Sequence, residues 1–221
     1  MEDTEKKTES SSESKSESSN GGSNKKVFSM VGGICALVAA GMAVVYAIYY
    51  IVYGIDAFKA DVDHHVIIGI FDLLITVCFA AFALFGVLSG LKLLAGSKAS
   101  GSSHDAFSNF FFIESIVMIV FVALIFTTAL FQGWDTGSWI AYLIVNASFY
   151  VASIILMLIS KSKSGIVAPI LFFVGIACFM IATSYEIGSW WVSALFAVAL
   201  YGVEAMAVLS AIFEDKCFSK K

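Results

Sequence analysis

Charged positions along this chain are so widely spaced that the gaps between them set the architecture. Residues 27–55, 136–160 and 164–185 carry no charge, while 66–91 are broken by Asp72 alone, 106–134 by Glu114 alone and 187–213 by Glu204 alone. A helix rising ~1.5 Å per residue needs about 20 apolar residues to cross a hydrocarbon core of ~30 Å. The pattern therefore predicts an all-α integral membrane protein with six transmembrane helices, over about 27–54, 66–91, 107–132, 138–160, 166–184 and 189–213. Barrel strands would alternate apolar and polar positions in pieces of about ten residues, and these runs do not. The first apolar run is too long for a signal-peptide core and follows a 26-residue polar segment, so a cleaved leader is not expected.

Composition narrows the class further. The 221 residues are 59% hydrophobic and 14% charged, against about 25% charged in ordinary soluble domains, and mean hydropathy is +0.90. All 13 basic residues are Lys, the formal charge is −4, and nucleic acid is not expected as a partner. Residues 1–26 hold six acids, five Lys, eight Ser and two Thr, with no aliphatic or aromatic side chain between Met1 and Val27. Such a segment cannot bury enough apolar surface to fold and reads as a disordered tail, with Ser10/Glu13 and Ser14/Glu17 spacings suited to phosphorylation. Residues 214–221 form a second short tail.

Lysine placement predicts orientation. With both termini cytoplasmic, twelve Lys fall inside and only Lys59 outside, which satisfies the positive-inside rule. Asp56, Asp61, Asp63, Asp135 and Glu186 then lie outside, as do all four Trp, which favour the membrane interface. Short acidic outer turns alternate with Lys/Ser inner turns (97–101 and 160–165), so the spans read as three tandem hairpins. This order of spans is similar to that of the bacterial acid-resistance membrane proteins; the similarity extends to no residue and no function. Cys35, Cys78, Cys178 and Cys217 all avoid the outer loops, which excludes a disulfide-braced exterior. Cys217, beside Lys216 just past the last span, is placed for S-palmitoylation. Runs of 22–29 uncharged residues suit a thick bilayer such as the plasma membrane.

Chemistry-bearing residues are few. Asp61, Asp63, His64 and His65 form the one metal-like cluster, although adjacent residues at a helix start point about 100° apart and chelate poorly. No nucleophile elbow, phosphate loop or zinc-protease motif occurs, so neither an enzyme nor a cofactor is expected. Polar groups inside the spans are more informative. Asp72 lies about 10 Å and Asn146 about 12 Å in from the outer side; Glu114 lies about 10 Å and Glu204 about 14 Å in from the inner side. Depth thus pairs Asp72 with Asn146 and Glu114 with Glu204. Polar groups so deep almost always face a bundle interior or a wet cavity.

Helical stripes give the facing. The stripe through Asp72 runs Thr76, Phe79, Ala83, Gly86 and Gly90, and its Gly-x-x-x-Gly spacing marks a helix contact. Ala197, Leu200, Ala207 and Ala211 accompany Glu204, and Tyr142, Tyr150, Ser153 and Ser160 accompany Asn146. Met118, Phe121 and Ile125 beside Glu114 mark no face. The sequence is thus read as a channel or transporter for a small solute or ion, with Asp72, Asn146, Glu114 and Glu204 along the pathway and proton coupling at the acids. The alternative is a membrane-organising scaffold that assembles partners without transport. The bilayer is the expected partner in either case, and a second copy of the chain could join it.

Overall fold

The computed structural model describes residues 18–61, 63–96, 103–131, 136–184 and 191–213. Six helices form along them: α1 Ser18–Ala57, α2 His65–Gly96, α3 Ser103–Phe131, α4 Thr136–Ser162, α5 Val167–Ser184 and α6 Trp191–Phe213. Each is long and apolar enough to cross a membrane, and no strand occurs among the described residues. Helix α1 begins at Ser18, inside the polar segment 1–26 read above as a disordered tail. Extending an existing helix costs far less than nucleating one, so the ladder started in the apolar run carries on into polar sequence. Residues 1–17, with the Ser10 and Ser14 motifs, and residues 214–221, with Cys217, lie outside the described residues.

Local chemistry ends the helices where the pattern placed turns. Asp105 occupies the first turn of α3 and Lys161 the last turn of α4, each favourable to the helix dipole. Pro169 sits in the first turn of α5, where its missing N–H removes no helical bond. Between α4 and α5 Gly165 adopts φ +70°, with nothing within 4 Å of where a Cβ would stand. Gly165→Ala is therefore penalised by backbone strain alone. It should lower stability by ~1–2 kcal/mol in a detergent-unfolding titration, and an unchanged midpoint would show that the turn relaxes to negative φ.

Close backbone approach organises the α1–α2 contact. A Cβ on Gly33 would stand 2.9 Å from the Gly90 carbonyl oxygen, and one on Gly90 would stand 3.0 Å from the Gly33 oxygen. Gly86 faces Ala40, and Gly54 meets the Gly69 carbonyl near the other end of the pair. Small residues let two helices touch backbone to backbone, the means by which helices associate where lipid offers no hydrophobic drive. The other flank of α1 meets α6: Phe28 stacks on Phe213, Cys35 fits against Gly202, and the Tyr46 hydroxyl hydrogen-bonds the Ser193 hydroxyl. Helix α3 lies between α2 and α4, also touches α5 and α6, and α5 packs on α4 with Met157 over Gly175.

Aromatic rings fill the centre. Tyr46 and Tyr50 stack on Phe79, Phe79 meets Phe121 edge-on at 5.1 Å, and Phe82 meets Phe196 across α2 and α6 at 5.2 Å. A second cluster joins Phe110, Phe111, Phe179 and Tyr150 of α3, α5 and α4. The periphery is as apolar as the core: Ile34, Val38, Val45, Ile48 and Val52 on α1 and Ile70, Val77, Leu84 and Leu91 on α2 are all exposed. Water would penalise such a surface on every helix, whereas lipid matches it.

Candidate functional site

Within this apolar bundle the four polar groups of the spans are buried. Glu114 and Glu204 are both 0% exposed, Asn146 1% and Asp72 5%. The helical repeat explains why Glu114 is central. Seven residues either side of it, Phe107 packs on Gly32 of α1 and Phe121 on Phe79 of α2, so residues 107, 114 and 121 share the face that α3 turns to the bundle middle. On α6, Gly202 and Met206 face α1. Glu204 lies about 160° from each around the helix, off that contact, and is accompanied by buried Leu200, Val203 and Ala207.

Neither glutamate is hydrogen-bonded. Both carboxyl oxygens of Glu114 and both of Glu204 are inaccessible and without a partner, as are Asn146 Oδ1 and Ser29 Oγ. The two carboxyls, matched in depth by the sequence, therefore do not bond to each other. Buried polar atoms are usually satisfied, and an orphaned carboxylate in an apolar interior would be costly enough to take up a proton. These four oxygens lie on α3 and α6, two helices in contact.

The other predicted groups are dispersed. Asp72 turns to α1, its Cβ 3.3 Å from where a Cβ on Gly54 would stand, and Thr76 below it donates to the Asp72 carbonyl at 3.1 Å. Asn146 is on α4, and α3 lies between α4 and α2, so equal depth does not make Asp72 and Asn146 neighbours. In the α1–α2 connection Asp61, Asp63 and His64 are exposed and His65 is half-buried. His64 takes φ 64° and its ring lies 5.6 Å from that of Phe131; among the described residues no three potential ligands gather into a metal site.

Some polar features escaped the sequence reading. His104, 6% exposed, lies against the Phe172 ring at 4.6 Å, with Nε2 3.4 Å from Ser108 Oγ and Nδ1 3.7 Å from Asp105. The Lys161 ammonium donates to Asn109 Oδ1 and sits 5.9 Å over the Phe112 ring, and Ser115 donates to Ser153 at 3.5 Å. A signal existed only for Lys161, at the boundary of a span; single Ser and Asn residues within apolar runs do not announce which helix they face.

These features belong to a multi-pass helical protein with two orphaned carboxyls at its centre. Comparison of the chain with protein-family models, with curated proteins and with solved structures returns no match.

Proposed function

We propose that this chain is a transporter or channel that moves a small solute or ion across the plasma membrane, with both termini cytoplasmic and with Glu114 and Glu204 gaining and losing protons as it works. The observation that carries this reading is the set of four carboxyl oxygens buried in α3 and α6 without a hydrogen-bond partner. Were the glutamates only adhesive, they would be expected to bond across helices, since that bond is what makes a polar group stabilising in lipid. Asp72 and Asn146, buried and nearer the outer side, line the approach. The scaffold alternative draws support from the ring-filled centre and from the backbone contact of α1 with α2, which together make a tightly packed bundle.

Flux through liposomes separates the two. The full chain, reconstituted around a trapped pH dye and given a pH step, should carry proton-linked flux well above that of protein-free vesicles. Glu114→Gln and Glu204→Gln should each lower it by about tenfold or more, the usual scale for losing a proton-transfer group. Flux no greater than in empty vesicles would overturn the transport reading and leave the scaffold.

A further inference from the structure

We infer that the transported species is a lipophilic organic cation, an ammonium or similar onium ion, received by Glu114 and Glu204 between α3 and α6 and exchanged for protons. The inference rests on the transport reading and names its substrate class from the chemistry around the two acids.

Consider first what that chemistry does not serve. Hard metal cations take six or more oxygen ligands at short range, or a ring of backbone carbonyls. Here two separate carboxyls stand on regular helices, whose carbonyls are committed to the backbone ladder. No hydroxyl or amide bonds to either carboxyl. An anion would need a cationic group, and Lys161 of α4, only half-buried, is held by Asn109. A sugar or amino acid would need several directed polar partners. Neither carboxyl has a hydrogen-bond partner that could join it in holding one.

What the surroundings do offer is negative charge beside aromatic and aliphatic surface. Phe107 and Phe121 share the face of Glu114; Phe110 and Phe111 lie one turn before it, and Met118 one turn after. On α6 the buried residues within a turn of Glu204, namely Leu200, Val203 and Ala207, are apolar. A diffuse cation carrying hydrocarbon loses little hydration on entering such a site, gains from burying its apolar parts, and is attracted to ring faces as well as to carboxylates. A compact, strongly hydrated ion gains none of these.

Charge balance supplies the exchange. Without a cation the orphaned carboxyls are neutral acids, because a bare carboxylate is too costly there. As an onium ion enters, a carboxyl O–H releases its proton to water and the carboxylate becomes the counterion. One positive charge enters for each proton that leaves. Other titratable groups on the surrounding helices are the thiols of Cys35, Cys78 and Cys178 and the phenols of Tyr46, Tyr49, Tyr50, Tyr53 and Tyr150. Tyr142 of α4 and Tyr201 of α6 are also half-buried. Charged groups on the same helices lie toward the ends, with Asp72 on α2, His104 and Asp105 on α3, and Lys161 on α4; none of all these is hydrogen-bonded to either glutamate.

Tetraphenylphosphonium is the test probe, because it has no proton of its own and any pH dependence must come from the protein. Binding to the detergent-solubilised full chain should tighten as the pH is raised, with protons released as the cation binds. Sodium and potassium in excess should not compete. Glu114→Gln and Glu204→Gln, eluting from a sizing column as the unaltered protein does, should each weaken binding at least about tenfold, whereas Asp56→Asn, at an exposed acid at the end of α1, should not. Undetectable binding at the higher pH, binding unaltered in both Gln variants, or displacement by sodium would overturn the inference. If glutamate-dependent flux persists while the phosphonium is not bound, the cation assignment falls and the transport reading stands. If both are absent, both fall.

Discussion

Gly90→Leu should abolish stable assembly of the bundle, the largest packing effect expected in this protein. The site leaves no room on either partner. A Cβ at Gly90 already stands 3.0 Å from the Gly33 carbonyl oxygen and 3.0 Å from the Leu37 side chain. Leu37 could swing aside, but the backbone of α1 cannot, so the helices must separate along their length. Overpacking of this kind costs ~3 kcal/mol or more when backbone must move, and separation would also break the Gly33–Leu94 and Gly86–Ala40 contacts on the same seam. The expected result is a steep loss of folded, monodisperse protein, read by sizing chromatography and by the midpoint of a detergent-unfolding titration. Gly41→Leu is the control: Gly41 is exposed, with nothing within 4 Å of its Cβ position, and the same substitution there should be tolerated. Equal stability of the two variants would mean that α1 and α2 do not meet at Gly33 and Gly90.

That seam was legible before any coordinates, because the spacing of Gly86 and Gly90 on the Asp72 stripe needs only the geometry of one helix. The six spans were legible for a similarly local reason: charges are excluded from hydrocarbon, so their spacing maps the bilayer directly. What stayed hidden depended on two helices at once. The stripe through Glu114 carries Phe107, Met118 and Phe121, large residues that by themselves mark no face. It is central because α1 presents Gly32 to Phe107, a large-to-small match that no single helix reveals. Depth likewise fixes a level but not a direction, which is why Asp72 and Asn146 share a level and have α3 between their helices. His104 was hidden by its neighbour: Asp105 marks the span boundary, and a neutral ring just beyond it reads as part of the loop, whereas burial against Phe172 draws it into the bundle.

Glu204→Lys should be the most damaging change at the site, and Glu204→Gln among the mildest. The position is fully buried, with Leu200, Val203 and Ala207 around it, and lies nine residues from the end of α6 at Phe213, about 14 Å along the axis. A protonated Glu and a Gln have nearly the same shape, and a volume-conserving exchange there should cost less than ~1.5 kcal/mol. Lys at that depth cannot bring its ammonium to an interface while α6 keeps its packing, and a charge near a helix centre costs ~3 kcal/mol before any pairing. Glu114 on the adjoining α3, buried and without a hydrogen-bond partner, is the carboxyl available to offset it. Adding Glu114→Gln to Glu204→Lys should therefore deepen the loss, by an amount that a double-mutant cycle in a detergent-unfolding titration measures as coupling between the two positions. Zero coupling would place the two side chains out of reach of each other. A Lys variant as stable as the Gln variant would put Glu204 against headgroups or water, and with it the site between α3 and α6 would be lost.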